Sequence, residues 1–232
     1  IMEPETLNLP VLALRGLTVF PHTNLTFDVE RHISMKALEV AMETGQEIFL
    51  VTQREINVEK PTEQDLYAIG TISRVTQILR LGQNSLRVMV EGGRRARLKR
   101  LWQLEPYLQG QVETAEEPES VNHGPKTEAL LRQTWSLFQD YAQLAGNVAE
   151  EVIAAALDCQ EPGDLADLIA QNIALRYDDK QAILEELSPM VRLRKLNGFL
   201  ARERDVLGYQ RQMEGKVRDE LAQQQREQIL RT

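Results

Sequence analysis

Tyr67–Leu101 reads YAIGTISRVTQILRLGQNSLRVMVEGGRRARLKRL, and the fold turns on how this stretch is divided into strands. Leu86, Val88 and Val90 fall on one side of an extended chain, with Arg87, Met89 and Glu91 on the other. That alternation is the period-2 pattern of a half-buried strand. Ile72 to Leu81 is rich in aliphatic and β-branched residues, and Gly82-Gln83-Asn84 supplies a turn able to reach positive φ. Gly92-Gly93 reads as a break, after which Ala96 and Leu98 alternate with basic residues in a third strand. Three consecutive antiparallel strands make a meander, the seed of a β domain.

Upstream, Leu9 to Leu14 is a short apolar strand with Pro10 near its start, where a missing donor does least harm. Gly16 to Asn24, containing Phe20-Pro21-His22, reads as a loop, and Leu25, Phe27 and Val29 alternate with polar residues in a second strand. Ser34 is placed to cap a helix running to about Thr44, with Ala37, Leu38, Ala41 and Met42 as its buried stripe. Ile48 to Val51 is a continuous apolar strand, expected at the centre of a sheet. Arg54 to Asp65 is a polar surface loop. Pro106 opens a last strand, with Leu108 and Val112 pointing inward.

The composition changes near Ala115. AEEPESVNHGPK has two prolines, a glycine and no apolar period, as expected of a linker. Beyond it apolar residues recur at three-to-four spacing from Leu131 to Ala145, and Gly146-Asn147 stops that helix. Further helices are expected over Val148–Leu157 and Pro162–Leu175, and from Asp178, at capping-box spacing from Gln181, to Leu187. Ser188-Pro189 starts a terminal helix, and no proline follows it. Its apolar positions thin out after Gly208, so its second half is expected to project as an arm, truncated at Thr232. The reading is α+β. A mostly antiparallel β subdomain with one helix spans 8–115, a linker 116–125, a helical bundle 126–187 and a long helix 188–232, packed first and protruding later.

Composition excludes several functions. A net charge of -8 argues against a broad nucleic-acid footprint. The single Cys159 rules out an internal disulfide framework and suits a cytoplasmic setting. No apolar run approaches the roughly 20 residues of a membrane span. There is no G-x-x-x-x-G-K-[ST] phosphate loop, no HExxH, and no Cys or His pair at ligand spacing among His22, His32 and His123. No catalytic, cofactor-binding or metal-binding residue is therefore assigned. The cluster Arg94, Arg95, Arg97, Lys99 and Arg100 could grip phosphate or acidic peptide, but Arg95, Arg97 and Lys99 share one strand face opposite Ala96 and Leu98, and the reading is an ordinary solvated face.

Three segments carry a resemblance. Leu9–His22 (LPVLALRGLTVFPH), Asp65–Leu81 with Leu86–Leu98, and Asp178–Leu187 (DDKQAILEEL) together resemble the N-terminal region of bacterial Lon, the ATP-dependent serine protease. The resemblance implies a PUA-like pseudo-barrel followed by a helical subdomain. It implies a parent protein that continues into an AAA+ module using ATP and Mg and a Ser–Lys peptidase module, assembled as a homohexamer for protein quality control. This chain holds neither module and needs no cofactor on that reading. Its expected role is recognition of unfolded, damaged or degron-bearing polypeptides, with help in assembly of copies of itself. The alternatives are a stand-alone Lon-type ligand or degron receptor and a coiled-coil scaffold.

The residues offered as substrate contacts are apolar side chains at positions expected to be wet: Phe20 and Pro21 in a loop, Ile33 just before the Ser34 cap, Met35 at the edge of the helix stripe, and Met89 between Arg87 and Glu91. Gathered on one surface they would form a soft patch, since methionine conforms to varied partners. Ile33 is alternatively a staple against Leu38.

Overall fold

The computed structural model describes residues 3–115 and 122–232, so part of the expected linker, 116–121, lies outside the described residues. Six strands form one mixed sheet: β1 (Thr6–Leu14), β2 (Asn24–Val29), β3 (Glu47–Thr52), β4 (Ile69–Arg80), β5 (Leu86–Gln103) and β6 (Gln109–Thr114). The order is β2-β5-β4-β3-β1-β6. Only β1 and β3 run parallel, with Val11 beside Phe49 and Leu14 beside Thr52. Ile48–Val51 is central, as its continuous apolar run requires. The C-terminal half of β5 also pairs with β6, Leu98 opposite Val112, so the sheet curls back on itself without being a closed barrel.

The glycine pair does not break a strand. β5 runs unbroken for 18 residues through Gly92-Gly93, so the expected three-strand meander is two strands, the second long and bent. Space explains the glycines. A Cβ on Gly92 would lie 2.0 Å from the Phe20 carbonyl oxygen, and one on Gly93 2.5 Å from that of Ile72. The register against β4 shifts between Ile72 and Ser73, opposite this pair. Glycine here admits two neighbouring backbones and lets the strand bend.

Helix α1 (His32–Glu43) begins two residues before the expected Ser34 cap. Arg31 holds the cap position, and its guanidinium turns away to donate to the Ala13 carbonyl at 2.7 Å and Gln53 Oε1 at 2.8 Å. Ser34 is buried inside the helix. Ala37, Leu38 and Ala41 pack on one face of the sheet, against Leu12, Leu14, Phe27, Ile48, Leu50, Val75, Val88 and Val90. Met42, expected in that stripe, is exposed. The other face, inside the curl, is filled by Val11, Phe49, Val51, Ile72, Ala96, Leu98 and Val112.

The second half is helical: α2 (Pro125–Ala145), α3 (Glu150–Asp158), α4 (Pro162–Asn172), α5 (Tyr177–Glu185) and α6 (Pro189–Arg231). Gly146 ends α2 in the left-handed region at φ 70°, where a residue without Cβ is at ease. The expected capping box of α5 does not form. Arg176 is its N-cap, and Gln181 donates to the Ile69 carbonyl and to Glu185 Oε1 instead. Ser188-Pro189 does start the last helix, which is unbroken for 43 residues, about 65 Å at 1.5 Å per residue. Its first part buries Leu193, Leu196 and Leu200 against α2 and α4. Arg211 still touches the bundle, donating to the Leu144 carbonyl at the end of α2, and past it every residue except Gly215 is exposed.

Candidate functional site

An open groove of about 800 Å³ runs the length of α1. One wall is a stripe of that helix, His32, Met35, Lys36, Glu39, Met42 and Glu43, recurring at three-to-four spacing. The other is the end of the β4–β5 hairpin, with Ile78, Arg80 and Leu86, and Pro106 sits at the β5–β6 turn. The groove exists because the hairpin outreaches its neighbour. β3 pairs with β4 only from Thr71 to Arg74, so Ile78 and Leu86 extend past the cover that α1 and β3 provide. Met35, Ile78 and Leu86 are half-buried against the core below, and Met42 stands free at 39 % exposure. The rim carries both signs of charge, with Lys36 and Glu39 paired at 3.5 Å.

The five residues named from sequence do not gather. Met35 lines the groove. Met89 is 39 % exposed, but it alternates with Val88 and Val90, which face α1, so it projects from the opposite face of the sheet. Ile33 is half-buried against the cluster inside the curl, to which Leu38 does not belong, so it does not staple α1. Phe20 and Pro21 are corrections. Both are buried, and Phe20, at 0 % exposure, joins the core of the helical half. Gln171 of α4 holds that loop, its Oε1 accepting from the Phe20 amide at 2.9 Å and its Nε2 donating to the Thr18 carbonyl at 3.0 Å. A proline-containing loop looked wet in one dimension because the bundle that covers it lies about 150 residues later. Sequence reasoning missed Met42, Ile78 and Leu86. The one signal was helical spacing, which places Met42 seven residues after Met35 on the same stripe.

The basic run of β5 is also not a uniform solvated face. Arg94 pairs with Glu5 at 2.9 Å and Lys99 with Glu113 at 3.9 Å, both partly exposed. Arg95, at 3 % exposure, points into the junction between the two halves. It donates to both carboxylate oxygens of Asp167 at 2.8 and 2.6 Å and to the Leu184 carbonyl at 2.8 Å. Its burial follows from the bend at Gly92-Gly93, which turns this side of β5 towards α4.

Among the described residues no three His, Cys, Asp or Glu side chains are grouped to hold a metal. Cys159 is half-buried beside the helical core, and burial pushes its thiol up, away from the reactive thiolate. Burial pushes the Lys180 ammonium down to about 8, and its Nζ donates to the Gln171 carbonyl at 3.3 Å. That bond ties α5 to Gln171, the residue that holds the Phe20 loop.

Comparison with known proteins gives one consistent result. The family model described as the ATP-dependent protease La (LON) substrate-binding domain matches residues 8–202. The Lon protease of Desulforamulus reducens is 38 % identical over 230 residues, 99 % of this chain and 28 % of the relative. That of Brevibacillus choshinensis is 38 % identical over 223 residues, again 28 % of its length. The chain thus spans little more than a quarter of these relatives. Among solved structures, the N-terminal domain of Mycobacterium avium complex Lon protease superposes with a TM-score of 0.66 at 22 % identity, covering 84 % of this chain and 98 % of that one. The Lon N-terminal domain protein from Xanthomonas campestris gives 0.58 at 17 % identity, covering 82 % and 96 %. At those identities the likeness is one of fold.

Proposed function

Because the chain belongs to the family of ATP-dependent protease La (Lon) substrate-binding domains, we propose that it is a non-catalytic unit recognising unfolded, damaged or degron-bearing polypeptides. The observation that carries this reading is the groove along α1. Its 12-residue helical wall is about 18 Å long, which matches five or six residues of extended chain at about 3.3 Å each. Met35 and Met42 offer polarisable, unbranched side chains that conform to different apolar partners, the property a receptor for many sequences needs. A rim with both charges excludes neither acidic nor basic flanks.

On this reading residues 8–115 carry recognition, and 126–187 with the first part of 188–232 form its support. The exposed part of α6 presents Met213, Val217 and Leu221 at four-residue spacing, which supports assembly with other copies, as in a hexamer of a longer protein. On the same reading, any steps using ATP and Mg and any peptide cleavage by a Ser–Lys pair are the work of a longer protein, outside the residues of this chain.

Met42→Glu tests the groove. Met42 is exposed, so stability stays within about 0.5 kcal/mol. Affinity for a permanently unfolded, reduced and alkylated protein, read by fluorescence anisotropy, falls, whereas Met89→Glu on the opposite face leaves it intact. Loss of affinity in Met89→Glu with none in Met42→Glu moves the site to the other face of the sheet and ends the groove reading.

A further inference from the structure

One buried carboxylate ties together three elements from both halves of the molecule. Asp167 of α4 accepts a two-pronged bond from Arg95 of β5 at 2.8 and 2.6 Å, and its Oδ1 lies 3.2 Å from Nε of Arg192 in the first turns of α6. Arg192 also donates to the Glu186 carbonyl at 2.9 Å, and Arg95 to that of Leu184, so both arginines grip the end of α5 as well. All three side chains are at most 3 % exposed. Room for the second arginine is made by Gly163 of α4, where a Cβ would stand 2.5 Å from Arg192 Nη2 and 3.3 Å from Pro189 Cβ.

The apolar part of the junction is small by contrast. Of the residues before 115, Phe20 and Ile69 are the buried ones that join the helical core, and each half has its own core besides. Apolar contact is non-directional, so two side chains inserted in a pocket permit pivoting. A planar guanidinium fork on a carboxylate fixes both distance and orientation. Replacing buried ion pairs by apolar residues is often neutral for stability, and in some proteins such pairs serve to specify geometry.

We propose that Arg95, Asp167 and Arg192 are positioning residues that lock the sheet, and with it the groove along α1, at one fixed angle to α6. The groove and the protruding helix then move as one body. This holds whether or not the groove takes unfolded chain, so its failure and that of the proposed function are separable.

The test uses nitroxide labels on Gln77→Cys of β4 and Asp205→Cys of α6, in a Cys159→Ala background, with the distance distribution read by pulsed electron spin resonance. The otherwise unaltered chain gives a single narrow peak. Arg95→Met removes the sheet's bond to the buried carboxylate while leaving Asp167 with Arg192 and the Gln171 and Gln181 bonds in place, and the peak broadens or splits. Gly163→Ala keeps every charge, displaces the Arg192 fork and broadens the peak too. A lowered melting temperature with an unchanged narrow peak in Arg95→Met makes the cluster a stabilising element only and overturns the proposal. Should Arg95→Met fail to fold, Gly163→Ala decides: a narrow peak there overturns it, a broad one upholds it.

Discussion

Phe20 shows how one residue changes meaning between sequence and structure. Its neighbours Pro21 and His22 mark a loop, yet its ring is fully buried among α-helical residues. Phe20→Ala is therefore expected to cost about 3–5 kcal/mol in urea unfolding, the range for emptying an aromatic site in a core. A cost below about 0.5 kcal/mol would return it to the surface. Lys180 gives a second expectation. Its ammonium is held at about 8, below the ordinary 10.5, by burial. The native state thus gives up the proton first, and between about pH 8 and 10.5 the unfolded chain binds more protons. Stability from this group rises with pH across that window, and below pH 8 the burial penalty is fully present. Lys180→Met is expected to raise stability at pH 7 by about 1–2 kcal/mol, allowing for the lost bond to Gln171, and to flatten the rise above pH 8. An unchanged pH slope in the variant would show that the amine is not desolvated.

At the scale of elements, β5 and α6 both outrun what their neighbours alone could support. β5 continues through two glycines because β2, β4 and β6 pair with different parts of it. α6 has no such support at its far end. Leu193, Leu196 and Leu200 are fully buried, whereas Tyr209, Met213, Val217, Leu221, Ile229 and Leu230 lie open on a stretch of helix that is otherwise mostly polar. Gly208 and Gly215 each cost about 1 kcal/mol relative to alanine in such a helix. In a dilute monomer, amides from Met213 to Leu230 are expected to exchange orders of magnitude faster than those from Leu193 to Leu207. Equal protection along the helix would mean that the distal part is covered by another copy or by its own domain.

At the scale of the whole molecule, the sheet and the bundle share one junction. Phe20 enters the helical core, and Gln171, Gln181 and Arg95 bond across the boundary. Calorimetry is therefore expected to show sheet and bundle unfolding in a single transition, apart from fraying of the distal α6. Two separated transitions would mean that each half is held by its own core and that the polar junction adds little. Arg95→Met would then leave the scan unaltered.

Sequence by itself determined most of the elements and the class of the fold, though not the continuity of β5 or the caps of α1 and α5. Alternation at Leu86–Val90, the apolar run at Ile48–Val51, Gly146 as a helix stop and Ser188-Pro189 as a start are local signals, set by backbone geometry within a few residues, and each stands in the structure. Family membership was legible for the same reason, since separated stretches of such signals occur in one order. What only the tertiary structure decided concerns pairs far apart in the chain. Arg95 is buried because β5 bends towards an aspartate 72 residues later, and Phe20 because a helix some 150 residues later closes over its loop. Met42 is exposed because the open groove leaves its end of the α1 stripe uncovered, and the helix is capped three residues before Ser34, by Arg31, whose side chain reaches across to Ala13 and Gln53. Periodicity tells which side chains share a face. Which face is covered depends on what the rest of the chain brings to it, and that is settled by packing and by where buried charges find their partners.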